Sequence, residues 1–299
     1  MNLPSEDVFL INYAPEKWSQ LERLLHFLGP PLAHNGNVRI GLQDCEAHLQ
    51  KVDVLWRIAE RLRPNLVLDR EELERIGGTS NQHSEEFAAM CEGIVCSLYS
   101  AIDGLRTFFF GAHKHVQGIQ DSSNGKLFDK AVEGKYGAGF PEDLRLLLAE
   151  ARDAWFTDLR KFRTELTHGT TGSCHLDAQT GQILYFNNGL GTRDSSYVVE
   201  DIEGKLRGYH QRILELVESI AHYHLAVIEP HPTFQICGMY RARMYARTVL
   251  ASAGASWADG QCLSHDWFEK EEGFLCPLAA QCPAYQNKYP GGYDAFTKA

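Results

Sequence analysis

WFTDLRKFRTELTHG, residues 155–169, closes a long amphipathic pattern that decides the fold we predict for this chain. Apolar residues recur through this pattern at steps of three and four, which is the period of an α-helix. They are Leu144, Leu148, Ala151, Trp155, Leu159, Phe162 and Leu166. Pro141 is typical of a helix start, and Gly169 is typical of the residue that follows a helix end. We therefore predict one long helix that ends at His168 and buries one face in a core.

Three other amphipathic patterns predict long helices around this one. Residues 44–62 and 84–111 precede it and residues 201–229 follow it, each with apolar residues at helical spacing. The pattern over 84–111 has further apolar residues beside its main stripe, which indicates a centrally buried helix. In residues 173–200, apolar and polar residues instead alternate with a period near two around a Gly-containing turn, as in a β-hairpin. The predicted fold class is mainly α: an up-and-down helical bundle with a small β-hairpin insertion and a Cys-containing C-terminal extension.

This pattern divides the chain into three predicted segments. Residues 1–40 are an N-terminal helix and extended arm, residues 41–232 are the helical bundle with its hairpin, and residues 233–299 are a Cys-containing C-terminal module. Within the last segment, residues 241–251 are predicted to form a helix.

Composition and charge restrict the class of protein. Of 299 residues, 44% are hydrophobic and 23% are charged, which is typical of a globular chain. We find no run of about 18 apolar residues, as a membrane helix requires, and the N-terminus lacks the pattern of a signal peptide. We therefore expect a cytoplasmic protein without a membrane partner. The net charge of 29 − 39 = −10 argues against a wide non-specific nucleic-acid surface and leaves room for a local basic pocket.

The candidate catalytic residues lie at the end of the quoted helix. Arg163 is followed after four residues by His168, and Gly169 lets the last helical turn bring the two side chains together. An Arg and a His at a similar spacing also occur at Arg106 and His113, where we expect a structural role. Asp103 is a candidate to orient Arg106 or Arg163 as a buried partner, and the alternative is that its side chain faces solvent. A plain alternative for the main pair is a surface ion pair at Arg163 and a His favoured by the helix dipole.

The helix end resembles the HEPN superfamily. The residues that carry this resemblance are Trp155, Leu159-Arg160 and Arg163-Thr-Glu-Leu-Thr-His168-Gly169, within a resemblance that covers roughly residues 44–230. It implies a metal-independent endoribonuclease, or a non-catalytic relative that binds RNA or assembles in a complex. The family motif often has Asn, Asp or His directly after the Arg, and this chain has Thr164 there.

The chemistry that the resemblance implies is physically reasonable for these residues. RNA cleavage without a metal needs a base for the 2′-OH, an acid for the leaving oxygen, and a cation beside the charged phosphate. His168 transfers protons near neutral pH, and Arg163 offers a fork of donors to phosphate oxygens. Since one His does not conveniently perform both proton transfers, we expect a homodimer that supplies a second pair.

Further arginines on the same helix predict contacts with RNA. On an ideal helical wheel, Arg145, Arg152 and Arg163 lie within about 20° of each other, with Phe156 and Arg160 nearby. Arg145, Arg152 and Arg160 are candidates to follow a phosphate backbone, and Phe156 is a candidate to stack on a base. The alternative is a solvated flank whose charges are balanced by Glu142, Asp158 and Glu165.

Four of the eight cysteines fall in the last segment. Cys237, Cys262, Cys276 and Cys282 are separated by 24, 13 and 5 residues. Four thiolates suit a structural zinc ion or, as a second choice, an iron–sulfur cluster, and Pro277 and Pro283 follow two of them. Ordinary packed or free cysteines are the alternative. No cofactor is expected for the helical segment.

Two other functions remain open. The first is a non-catalytic helical interaction module in a larger complex, with a structural metal-binding tail, which the net acidity and Thr164 favour. The second is a metalloprotein in which the cysteine tail is the working part.

Overall fold

The computed structural model describes residues 8–10, 14–29, 32, 35–119, 123–168, 171–192, 195–240, 243–269 and 275–298. The chain forms two compact units. One contains Met1–Pro31 and Ala221–Ala299, and the other contains Leu32–Ile220.

The described residues are mainly α, as predicted. In chain order the helices and strands are β1 (Val8–Leu10), α1 (Gln20–His26), α2 (Gly36–Leu62), α3 (Leu66–Ile76), α4 (Gln82–Ala112), α5 (Asn124–Val132), α6 (Glu142–Ala151), α7 (Thr157–His168), β2 (Ser173–Leu176), β3 (Ile183–Thr192), β4 (Ser195–Val199), α8 (Ile202–Ala226), β5 (His231–Tyr240), β6 (Arg243–Ala251), β7 (Gln261–Cys262), α9 (His265–Glu269), α10 (Pro283–Gln286) and α11 (Gly292–Phe296).

Helices α2 and α4 approach each other closely at a pair of glycines. A Cβ atom added at Gly104 of α4 would lie 2.6 Å from the backbone N of Cys45 in α2, and Gly41 of α2 faces the same crossing. Side chains on both flanks of α4 are also fully buried, including Ile102 and Phe109. The predicted central burial of this helix is therefore confirmed.

Helix α4 is also long and apolar. Within the described part of the chain it is the one helix that meets the length and composition of a membrane span, and 56% of its 18-residue apolar window is buried inside the protein.

The predicted helix that ends at His168 contains a π-helical turn. Residues Arg152–Phe156 form this turn between α6 and α7, and the backbone N–H of Thr157 donates to the carbonyl of Arg152, five residues back. All seven residues of the predicted stripe are buried, with at most 9% of any one exposed. Ala151, Trp155 and Leu159 are separated by two successive steps of four, whereas two α-helical turns need about seven residues. The π-helical turn absorbs the extra residue, so this face stays buried.

A three-stranded antiparallel sheet occupies the region of the predicted hairpin, in the order β2-β3-β4. Ser84 of α4 both donates to the carbonyl of Cys174 at 2.7 Å and accepts from its N–H at 3.0 Å. The hydroxyl of Tyr185 in β3 donates to Glu92 of α4 at 2.8 Å. These bonds join the sheet to the central helix.

The other unit contains a four-stranded sheet in the order β1-β5-β6-β7, in which neighbouring strands are antiparallel. The predicted helix over 241–251 is wrong, because Arg243–Ala251 forms β6. This strand hydrogen-bonds to β5 on one side and β7 on the other, and these pairings override a local sequence that suits a helix.

The N-terminal arm belongs to this unit. Strand β1 pairs with β5, and Glu16 accepts a hydrogen bond from the backbone N–H of Trp257 at 2.8 Å. The two ends of the chain therefore fold together, whereas the predicted division placed 1–40 and 233–299 in separate segments.

Candidate functional site

Arg163 is held against an aromatic ring of the central helix. Its Cζ atom lies 5.0 Å from the centroid of the Tyr99 ring in α4. Both side chains are partly buried, and burial raises the pKa of Tyr99. A cation above a ring keeps the N–H donors at the rim of its guanidinium group available for a second ligand. Among the described residues Arg163 forms no ion pair, so these donors are not committed to a carboxylate.

Asp103 lies one helical turn from Tyr99 and pairs with Arg106. Its Oδ1 atom is 3.2 Å from Nη1 of Arg106, so the structure selects Arg106 among the two predicted partners. Burial raises the pKa of Asp103, and the charges of Arg106 and Arg163 oppose this rise without cancelling it. The Asp103 side chain is still 41% exposed, so its burial is partial.

Arg160 lies near Tyr99 and contacts α5. Its guanidinium packs on the first turn of α5, where a Cβ at Gly125 would be 2.7 Å from Cζ of Arg160. Asn124, which is buried, lies beside Tyr99 and Asp103. We call the group formed by Tyr99, Asp103, Arg106, Arg160 and Arg163 the arginine cluster.

His168 is the last residue of α7, and its side chain lies outside the described residues, as does all of Gly169. The proximity of His168 to Arg163 therefore stays a prediction.

Arg145 is committed to neighbouring acceptors. Its Nε and Nη2 donate to Glu142 at 2.7 and 2.5 Å, and Nη1 donates to the carbonyl of Ala131 at 2.8 Å. The pairing with Glu142 is the charge balance that the alternative interpretation of this helix predicts. A phosphate at Arg145 would have to compete with this carboxylate, and RNA binding there stays a prediction.

Arg152 is placed in a similar way. It donates to Asp129 at 3.2 Å and to Asp153 at 2.8 Å. Because Arg152 also begins the π-helical turn, the ideal wheel that aligned it with Arg163 does not apply across residues 152–156.

Phe156 does not offer a ring for stacking on a base. Only 1% of the residue is exposed, and its ring stacks on Phe128 with centroids 3.9 Å apart and an angle of 16° between the ring planes. The prediction that this ring is available to RNA is wrong, because the π-helical turn and α5 enclose it in the core.

The four cysteines of the last segment lie together in the other unit. Cys237, Cys262, Cys276 and Cys282 are each 6–8% exposed and share one buried cluster. They line a cavity of about 10 Å³ together with Tyr245 and Arg247. We call these four residues the cysteine cluster. Among the described residues, no three His, Cys, Asp or Glu side chains stand as close together as the ligands of one metal ion.

Arg247 is the residue at the cysteine cluster that sequence reasoning missed. It is 1% exposed, and its Nε and Nη2 donate to the sulfurs of Cys237 and Cys282 at 3.1 and 3.2 Å. Its Nη1 donates to the carbonyl of Trp257 at 2.8 Å, and its Cζ lies 3.8 Å from the centroid of the Trp257 ring. A strand assignment for residues 243–251 would have drawn attention to it.

In the arginine cluster, the residue that the sequence did not lead us to predict is Tyr99. The signal for it was the spacing of four residues between Tyr99 and Asp103, which places both on one face of a helix.

No protein-family model, no curated protein and no solved structure matches this chain.

Proposed function

We propose that the helical unit binds RNA at the arginine cluster and, as a HEPN-like protein, cleaves it without a metal ion. The observation that carries the proposal is the Arg163 guanidinium, which Tyr99 holds in place while its donors stay free of carboxylates among the described residues. A guanidinium in this state suits a phosphate, because its planar fork matches two phosphate oxygens.

In this proposal His168 is the proton-transfer group. It ends the helix that carries Arg163, five residues further along the chain. At neutral pH a His exchanges protons readily, so it serves as base toward the 2′-OH or as acid toward the leaving oxygen. Arg163 stabilises the charge that develops on the phosphate. The long helices form an up-and-down bundle of the HEPN type, and a homodimer supplies the second His.

The arginine cluster replaces the longer binding edge that the helical wheel suggested. Arg160 and Arg163 are the arginines of the edge that form no ion pair with described residues, whereas Arg145 and Arg152 have carboxylate partners. A compact site of this kind binds one or two phosphates, in keeping with a chain of net charge −10.

The test is cleavage of a mixed RNA substrate in excess chelator, with product ends analysed for 2′,3′-cyclic phosphate. We expect cleavage by the wild type and none by His168→Ala or Arg163→Ala. Arg152→Ala is the matched control, since it removes the same charge from the same helix at a site already paired with acids. It should keep most of the activity.

Binding is measured separately with an RNA whose 2′-OH groups are methylated, which prevents cleavage. Retained binding with no cleavage by the wild type would reject the nuclease and keep the RNA-binding part of the proposal. Absence of both, in protein with unchanged helical content, would reject the proposal.

A second function is favoured by the charge distribution: a non-catalytic helical interaction module in a larger complex. Arg145 and Arg152 form ion pairs with carboxylates, and Phe156 is buried. The basic surface that remains is therefore small. In this case Arg163→Ala would leave RNA binding unchanged and weaken association with a protein partner.

A further inference from the structure

The cysteine cluster is assembled from four separate parts of the chain. Cys237 lies where the register of β5 shifts against β6, between Ile236 and Gly238. Cys262 ends β7, Cys282 directly precedes α10, and Cys276 lies between α9 and α10. A strand irregularity of this kind redirects a side chain. The fold thus brings thiols separated by as many as 45 positions into one buried group.

Two of the four sulfurs accept a hydrogen bond from one buried guanidinium group. Arg247 donates to Cys237 and Cys282 through adjacent nitrogens of one guanidinium.

This arrangement of donors suits thiolates better than thiols. A neutral thiol is a weak acceptor, whereas a thiolate accepts strong, charge-assisted hydrogen bonds. A thiophilic metal ion displaces the thiol protons when it binds, and the thiolates that result are the acceptors that this buried guanidinium suits.

We propose that Cys237, Cys262, Cys276 and Cys282 bind a thiophilic metal centre, with Arg247 as the residue that balances its charge. For a divalent ion, four thiols release four protons to solvent and form four metal–sulfur bonds, which gives a site of net charge −2. The buried guanidinium offsets half of this charge through its two N–H···S bonds. Such outer-shell donors orient the ligands and stabilise the site.

Formation of the site requires the sulfurs to turn toward a common centre. Rotation about one side-chain torsion moves each Sγ between staggered positions, and the cavity among them already has room for about one water-sized group. Tyr245 lines the same cavity, and its buried hydroxyl has no hydrogen-bond partner among the described residues. Its O–H is a further donor for a thiolate of the bound state.

The centre is structural in this proposal. All four positions around the metal are filled by protein, which leaves no open coordination site for a substrate. The cysteines also form the core of this part of the chain together with Phe268 and Tyr285, so metal binding contributes directly to folding there.

The first test is metal content and absorption of full-length protein made in medium that contains both zinc and iron. One zinc ion would appear as about one equivalent per chain without visible colour, and an iron–sulfur cluster as iron and sulfide with broad visible absorption. Either result supports the proposal, provided that Cys276→Ser and Cys282→Ser lose the metal. Cys96→Ser is the matched control, because Cys96 lies in the other unit outside the cysteine cluster.

A second test uses the wild type alone, so that it does not depend on the folding of variants. Chelated, reduced protein is titrated with Co²⁺, and thiol alkylation is then mapped by mass spectrometry. We expect thiolate-to-cobalt absorption and protection of the four cysteines, with unchanged alkylation of Cys96. Absence of cobalt–thiolate absorption, together with alkylation that is indifferent to Co²⁺ and to iron and sulfide under reducing conditions, would overturn the proposal.

Discussion

Arg163 lies with its Cζ atom 5.0 Å from the centroid of the Tyr99 ring, so the helix that ends at His168 contacts the central helix through a cation and an aromatic face. This contact fixes the position of a guanidinium that has no ion pair among the described residues. It is the feature of the helical unit that best distinguishes a ligand-binding arginine from one that serves only the fold.

Removal of the ring should weaken RNA binding while the charge stays. In Tyr99→Leu we expect the affinity for uncleavable RNA to fall by about two- to five-fold, since a cation–π contact at a partly exposed site contributes about 0.5–1 kcal/mol. Tyr99→Phe keeps the ring and should bind like the wild type. The measurement is a fluorescence titration at fixed salt. Equal losses in both variants would show that the hydroxyl, and not the ring, is what matters.

Asp103 should make stability depend on pH in a defined direction. The pKa of Asp103 is raised in the folded protein, chiefly by burial, so the folded state binds this proton more tightly than the unfolded state does. The proton therefore stabilises the folded wild type at low pH, and this stabilisation is lost as pH rises through the folded pKa. The free energy of unfolding of Asp103→Asn, relative to wild type, should therefore increase between pH 3 and pH 7.

Glu142 provides a control of opposite sign. Hydrogen bonds from Arg145 lower its pKa, so its contribution appears above the unfolded pKa and is lost as pH falls. Glu142→Gln should lose stability relative to wild type as pH rises. Urea unfolding across this pH range measures both differences. A decrease for Asp103→Asn would contradict the assignment of burial as the dominant influence.

The contact between α2 and α4 should not accept a methyl group. Gly104→Ala would place a Cβ 2.6 Å from the backbone N of Cys45, and we expect destabilisation of about 1–3 kcal/mol or more because helix backbones cannot move aside easily. Gly93→Ala is a control on the same helix, where the nearest atom would be a Leu55 side-chain carbon at 3.7 Å. That variant should gain about 0.5–1 kcal/mol from helix propensity. Similar unfolding midpoints for the two variants would refute the close approach.

The parts of the fold that sequence periodicity predicted are those in which burial is a local property. Every residue of the stripe from Leu144 to Leu166 is buried, as is the core face of α4. The π-helical turn at Arg152–Phe156 has one sign in the sequence, the two successive steps of four between apolar residues from Ala151 to Leu159. A helical wheel with a fixed angle per residue does not show this sign. For that reason the predicted alignment of Arg152 with Arg163 does not apply and the burial of Phe156 was missed.

The rest depends on pairing between distant segments. Residues 243–251 are a strand because β5 and β7 hydrogen-bond to them, and β1 joins the same sheet from the opposite end of the chain. Counting cysteines in the last segment was enough to select the four that meet in one core. Arg247 lies among these cysteines because residues 243–251 form a strand, and the sequence pattern predicted a helix there.

Arg247 provides the sharpest prediction about the cysteine cluster, because its role depends on geometry as well as charge. Arg247→Lys keeps the charge but loses the planar fork that reaches Cys237 and Cys282 together. If the proposed metal centre forms, this variant should bind Co²⁺ at the wild-type stoichiometry with an affinity lowered by about 10- to 100-fold, the usual effect of losing an outer-shell partner. Arg247→Met removes the charge and should bind more weakly still, whereas Arg145→Lys, on the helical unit, should match the wild type. Competition between the protein and a colorimetric chelator gives the affinities, and circular dichroism verifies the fold of each variant. Wild-type affinity in both Arg247 variants would show that the guanidinium has no part in stabilising the thiolates.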